Sequence, residues 1–282
     1  MSFNFNITNQ CNRHCKFCFE GQWRATGKML MSIDDIRTIL TREADFIRER
    51  IPRIGILGGE PTSHPDFEEI FKLVDSHAPK TYVMTNGIMP ESTARLIGPA
   101  MHLLNVDGPR DGEQGEQFLR TLAIWDEPDM PDYGVSVTVD DPEKDFTFLL
   151  DAIKTCRNIK HVRIGITSPG YQFANDVMLK AEPSPAYGLT YLRLVDTVRK
   201  LRPDVTFYNE CCVNDYVMTR DVFAVLQALK VQNLKKVCLT PNFYIYPDLS
   251  ATWCFPFVGI PELTVANVLE LPTLQAVLNE LL

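Results

Sequence analysis

The chain has 282 residues, a net charge of −8 and a pI near 5.2, a size that suits one large domain or a domain of about 200 residues with an appendage. The acidic balance argues against a large nucleic-acid footprint, because neutralising phosphates takes clustered Lys and Arg. No apolar run approaches the roughly 18 residues of a membrane span, and the opening MSFNFNIT lacks the basic segment of a secretory signal. The expectation is a soluble cytoplasmic protein with no membrane partner, whose eight cysteines do not form structural disulfides, the clustered ones being metal ligands or reactive thiols.

Short β-like runs alternate with amphipathic helical stretches, the pattern of a parallel α/β fold. FNFNITN (3–9) reads as the first strand, and Ser32 as the N-cap of one helix running to residue 50. RIGILGG (53–59) is a buried second strand, followed by a helix over 64–78. TYVMTNG (81–87), HLLNVDG (102–108), YGVSVTV (133–139) and HVRIGIT (161–167) continue the series, with helices at 91–98, 113–126 and 144–156 between them. Each of these six strands ends in a polar or glycine-rich turn, where parallel α/β folds carry their chemistry. A proline-bearing loop (168–188) and a helix over 189–201 follow. From about Pro203 the character changes, and VTFYN, NECCVNDY, a helix over 219–231, CLTPNFYIYPDLSATWCFPF and a closing helix suggest a small α/β appendage. The expected division is a barrel over 1–202 and an extension over 203–282.

Cys11, Cys15 and Cys18 stand as C-x3-C-x2-C directly behind the first strand. Three thiolates on a short loop can hold three corners of a cubic iron–sulfur cluster and leave one iron open for another ligand. Zinc completed by His14 or by a distant cysteine is the rival, although His14 and Cys15, being adjacent, ligate one tetrahedral ion awkwardly. Incidental buried thiols are the third reading.

CNRHCKFC, with the aromatic Phe17 before its last cysteine, resembles the cluster-binding signature of the radical S-adenosylmethionine (radical SAM) superfamily. The resemblance implies a 4Fe-4S cluster on Cys11, Cys15 and Cys18, with the open iron chelated by S-adenosylmethionine. It further implies an electron from an external donor such as flavodoxin or ferredoxin, and hydrogen abstraction by a 5′-deoxyadenosyl radical. ILGGEP resembles the family's GGEP motif, which makes Gly58, Gly59, Glu60 and Pro61 cofactor contacts, with Glu60 an acceptor for the ammonium group. MTNG resembles the turn after strand three (Thr85, Asn86), and NVDGP the turn after strand four (Asn105, where serine is usual, and Asp107). Thr138, Ile166 and Thr167 are adenosine-side contacts by position. Taken singly, each motif is also ordinary turn chemistry; the ordered set is what carries the resemblance. The implied fold is α/β, a partial (β/α)6 barrel of the TIM type, supported to about residue 170 by motif and to about 202 by element order.

Cys238 and Cys254, with the Pro247–Asp248 turn between them, resemble the first half of the SPASM or Twitch extensions, with Leu249 in the place of a glycine. Cys211 and Cys212 would add ligands to an auxiliary iron–sulfur cluster; the other reading is four thiols packed in a core, as Cys156 is expected to be. Arg110, Asp111 and Arg163 are candidates for touching a charged substrate or for surface ion pairs. Tyr171, Tyr208 and Tyr216 are candidates near the barrel mouth. The resemblance points to a peptide or small-metabolite substrate. A non-catalytic zinc- or cluster-binding sensor or scaffold on the same barrel is the alternative function.

Overall fold

The computed structural model describes residues 3–18, 27–166, 184–209, 218–234, 242–254 and 261–281. Six strands lie side by side in chain order, each parallel to the next: β1 (Phe3–Asn6), β2 (Ile54–Leu57), β3 (Thr81–Thr85), β4 (Met101–Asn105), β5 (Tyr133–Val139) and β6 (Ile159–Ile166). The helices that follow them are α1 (Ile33–Arg42), α2 (Ala44–Arg50), α3 (Phe67–His77), α4 (Glu91–Ile97), α5 (Gly112–Trp125), α6 (Thr147–Thr155) and α7 (Ala186–Leu201). Alternation along β1 places Phe3 and Phe5 in the main core and Asn4 and Asn6 on the opposite face, where Asn4 Nδ2 donates to the Phe243 carbonyl at 3.3 Å. A smaller apolar group, Leu57, Tyr244 and Tyr246 with Tyr82 and Met84, is separate from that core.

One expectation is revised. The helix expected over 33–50 is two helices, α1 and α2, joined at Glu43, whose backbone leaves helical values (φ −104°, ψ 16°). The break frees Arg42 to reach the C-terminal segment: its guanidinium bonds Glu43 Oε1 (2.7 Å) and donates to the Leu271 (2.9 Å) and Val268 (3.3 Å) carbonyls. Ser32 caps α1 as expected, its hydroxyl accepting from Asp35 N–H at 3.1 Å.

The residues after 203 extend the barrel sheet rather than standing beside it. β7 (Thr206–Asn209) pairs parallel with β6, and beyond α8 (Arg220–Ala228) β8 (Phe243–Ile245) pairs parallel with the far edge of β1. β9 (Ala251–Thr252) and β10 (Thr264–Val265) add antiparallel strands outside β8, and α9 (Leu274–Glu280) follows. The sheet order is β10-β9-β8-β1-β2-β3-β4-β5-β6-β7. Both edges of the six-stranded unit would otherwise present unpaired backbone groups, and β7 and β8 satisfy them. The turn between β8 and β9 is tight: Leu249 N–H donates to the Tyr246 carbonyl and Tyr246 N–H to the Ser250 carbonyl, both at 2.9 Å. Leu249 occupies the left-handed region (φ 66°) where the related pattern has glycine, and its side chain packs against the core. Among the described residues, no helix is long and apolar enough to cross a membrane.

At the opposite end of the sheet from the predicted chemistry, His102 is 3% exposed, lies tilted against Trp125 (3.8 Å between centroids) and stacks on Tyr133 (4.9 Å). Nδ1–H donates to the Ala100 carbonyl at 2.9 Å, while Nε2 is buried with no hydrogen-bond partner. Protonating Nε2 would bury an unpaired donor and a charge, so burial lowers the His102 pKa to about 4. Because the folded value lies below the unfolded value of about 6.5, this group's contribution is complete above pH 6.5 and lost as pH falls toward 4. The expected acid loss is on the order of 3 kcal/mol. Urea melts at pH 7.5, 5.5 and 4.5 check it: His102→Phe, which keeps a ring between Trp125 and Tyr133, should flatten that part of the profile. An unchanged difference between wild type and variant across the range would refute it.

Candidate functional site

The turn after β2 is stitched to the chain that leads from β1 into the cysteine loop. Gly59 N–H donates to the Thr8 carbonyl at 2.7 Å and Glu60 N–H to the Gln10 carbonyl at 2.6 Å. A β-carbon on Gly58 would lie 2.6 Å from the Thr8 carbonyl oxygen, and one on Gly59 2.3 Å from that of Gln10. The two glycines are therefore explained by backbone meeting backbone. Pro61 opens a single 3-10 turn (Pro61–Ser63) that directs the chain into α3.

Glu60 is 1% exposed, and its carboxylate accepts four hydrogen bonds. Oε1 takes Thr62 Oγ1 (2.7 Å), Thr85 Oγ1 (2.8 Å) and Thr62 N–H (3.3 Å), and Oε2 takes Asn86 N–H (2.7 Å). Burial raises its pKa, and these bonds, which favour the carboxylate, oppose the shift. The predicted contacts Glu60, Thr85 and Asn86 are thus one network that joins the ends of β2 and β3. Asn86 extends it: Nδ2 donates to Asn12 Oδ1 (2.7 Å) and lies 3.8 Å from Cys11 Sγ, and Asn12 Nδ2 reaches the Ile88 carbonyl (3.0 Å).

The cysteine loop itself is short and internally bonded. Cys18 N–H donates to the Cys15 carbonyl at 3.2 Å, and Arg13 N–H to Cys11 Sγ at 3.4 Å. All three cysteines are half-buried. His14 is exposed.

After β4, Asp107 Oδ1 accepts Thr138 N–H (2.5 Å) from β5, so two further predicted contacts touch each other. Lys144, which the sequence reading passed over as the start of a helix, belongs to this group. Its ammonium donates to the Thr138 carbonyl (2.8 Å) and Asp140 Oδ1 (2.6 Å), lies 3.8 Å from Asp107 Oδ1, and sits 5.1 Å from the centre of the Phe17 ring. Phe17 thereby connects the cysteine loop to the loop after β5.

Arg110 is turned onto backbone carbonyls rather than into a surface ion pair. Its guanidinium lies 3.9 Å from the centre of the Phe118 ring and donates to the Asn105 (2.6 Å), Asn86 (2.8 Å) and Gly108 (3.1 Å) carbonyls. Burial, and then the neighbouring Arg13, lower its pKa to about 9. It is a clamp across the ends of β3 and β4. No local motif announces such a role, since its partners are carbonyls of two strands.

Ile166 ends β6, half-buried. Arg163 stands opposite Ser136 and Tyr208 in the register, and the Tyr208 ring meets His161 edge-on at 5.5 Å. Asp111 is exposed in front of α5 and makes no side-chain cap. Cys156 is buried in the core, as expected. Cys254 is half-buried, its N–H donating to Thr252 Oγ1 at 3.3 Å. Thr167, Tyr171, Cys211, Cys212, Tyr216 and Cys238 lie outside the described residues.

Among the described residues, no three His, Cys, Asp or Glu side chains converge on one point as ligands of a single metal ion do. A cubic cluster places each thiolate on its own iron, so convergence is not what its site requires. Three half-buried cysteines on one loop, beside backbone and side-chain N–H donors, fit such a cluster chemically.

A partial α/β barrel with a three-cysteine loop behind its first strand defines the class. Residues 5–109, somewhat over a third of the chain, match the family model described as the radical SAM superfamily. It is 33% identical over 89 residues to a 7,8-dihydro-6-hydroxymethylpterin dimethyltransferase of Methanocaldococcus jannaschii, covering 30% of this chain and 17% of that protein. An S-adenosylmethionine-dependent nucleotide dehydratase of Fibrobacter sp. is 28% identical over 110 residues, 37% of this chain and 32% of the relative. Among solved structures, Streptococcus suis SuiB bound to precursor peptide SuiA superposes with a TM-score of 0.70 at 15% identity, covering 97% of this chain and 63% of SuiB. HydG, a maturase of the FeFe hydrogenase, gives 0.51 at 13% identity, covering 73% and 50%. The chain spans less than two thirds of each of these proteins, and at such identities the structural likeness speaks to fold.

The stitched turn gives a direct test. Gly59→Ala should cost more than about 2 kcal/mol, because the clash is with backbone that has no side chain to swing away. Urea melts would show it, and a loss below about 0.5 kcal/mol would mean that the close approach does not hold the turn.

Proposed function

We propose that this chain is a radical SAM enzyme with a 4Fe-4S cluster on Cys11, Cys15 and Cys18. The observation that carries the reading is the sharing of Asn86 between Cys11 Sγ (3.8 Å) and the Glu60 carboxylate (2.7 Å). One residue ties the thiol loop to the acceptor expected to take the ammonium of S-adenosylmethionine. When bound, the cluster and S-adenosylmethionine supply a 5′-deoxyadenosyl radical by one-electron cleavage of the sulfonium.

The chain's own residues bind and orient. Glu60 would hold the ammonium with Oε2, which carries one hydrogen bond where Oε1 carries three. Asp107 and Asn105 would take ribose hydroxyls, with Asp107 already held by Thr138 N–H and Lys144. Gly58 and Gly59 let the turn approach closely, and Phe17 covers the cysteine loop on the Lys144 side. Thr138 and Ile166, at the ends of β5 and β6, would flank the adenosine.

The substrate is a peptide or a small metabolite. The likeness to SuiB, solved with its precursor peptide, supports the peptide. Reduction calls for an external one-electron donor of the flavodoxin or ferredoxin type. About four irons per chain would leave Cys211, Cys212, Cys238 and Cys254 as packed thiols of the extension; about eight would make them the ligand set of an auxiliary cluster.

Anaerobic reconstitution with iron and sulfide, followed by dithionite and S-adenosylmethionine, tests the reading. About four irons per chain and release of 5′-deoxyadenosine are expected, both lost in a Cys11/Cys15/Cys18→Ala variant. About eight irons, with four surviving the substitution, would establish the auxiliary cluster. Bound zinc and no 5′-deoxyadenosine would sink the enzyme and leave the scaffold.

A further inference from the structure

Asn86 is 7% exposed, and each of its polar groups has a partner. Its N–H is held by Glu60, its carbonyl by Arg110 and its Oδ1 by Ile88 N–H (2.9 Å). The Oδ1 bond is an ordinary turn-forming contact that aspartate would make equally well. Turn formation therefore does not account for an amide here. What the amide adds is Nδ2, aligned by Asn12 Oδ1 at 2.7 Å and 3.8 Å from Cys11 Sγ.

We infer that Asn86 is a positioning residue that raises the reduction potential of the cluster by donating Nδ2–H to the Cys11 sulfur. The inference rests on the reading of Cys11 as a cluster ligand. An electron entering the cluster adds negative charge to its sulfurs, and N–H dipoles aimed at them stabilise that charge. The Arg13 backbone N–H at 3.4 Å makes a second such bond, which no side-chain change removes. Burial of Asn86 keeps its amide out of water, where the donor is worth most. Arg110 and Glu60 fix the residue's backbone from opposite sides, so the side chain is aimed by the ends of three strands rather than by a flexible loop. A role only in turn stability would show in melting and not in the potential.

The test is a redox titration of reconstituted protein, followed by electron paramagnetic resonance without S-adenosylmethionine. Asn86→Asp keeps the acceptor for Ile88 N–H, removes the donor and sets a carboxylate beside the sulfur. It should bind the wild-type amount of iron with a midpoint shifted to more negative potential. Asn12→Ala, which removes the acceptor that aims Nδ2, should shift the midpoint the same way by less. A wild-type midpoint in Asn86→Asp overturns the inference with the enzyme reading intact. If that variant fails to fold or to load iron, a wild-type midpoint in Asn12→Ala overturns it instead. Wild-type protein that takes up no iron overturns both readings together.

Discussion

Two backbone hydrogen bonds, Gly59 N–H to the Thr8 carbonyl and Glu60 N–H to that of Gln10, hold the turn after β2 against the chain leaving β1. They continue the pairing of β1 with β2 beyond the sheet, where a side chain on either glycine would force the two segments apart. Everything on the site hangs from this contact. It fixes Glu60 under the end of β3, Glu60 fixes Asn86, and Asn86 reaches back to the cysteine loop. The loop is a closed circuit of strand ends rather than a free excursion.

A second circuit runs through charge. Asp107, Lys144 and Asp140 join the loops after β4 and β5, and Lys144 carries the link to Phe17. Arg110 ties β3 to β4 through carbonyl oxygens, with its cation over Phe118. Buried cations bound to carbonyls are costly to leave unsatisfied, so these links resist rearrangement. The strand ends form a platform whose parts move together.

What was legible in the sequence was what is written locally. The glycines, the turns after β3 and β4, the helix cap at Ser32 and the order of six strands all follow from residues within a few positions of one another. Glu60, Thr85, Asn86, Asp107 and Thr138 were found by their places at strand ends, and the structure brings them into contact. Arg110 and Lys144 carry no local signature for their roles because each also reaches another strand end, Arg110 to the Asn86 carbonyl and Lys144 to the Asp107 carboxylate. The helix break at Glu43 has no local sign for a related reason: helical periodicity runs through it, and the Arg42 contacts that accompany it are to residues 226 and 229 positions away. Likewise, VTFYN and NFYIY read as strands of an appendage because edge pairing with β6 and β1 has no local signature.

The placement of β8 beside β1 has a consequence for assembly. β1 carries the cysteine loop, yet its second neighbour lies 239 positions later, as the Asn4–Phe243 bond shows. Closing so long a loop is slow relative to the local β/α units. During synthesis the thiols can therefore be displayed on a strand with one open edge well before that edge is covered. The interval before β8 docks leaves that edge of β1 open to solvent, and docking of the hairpin then pairs it.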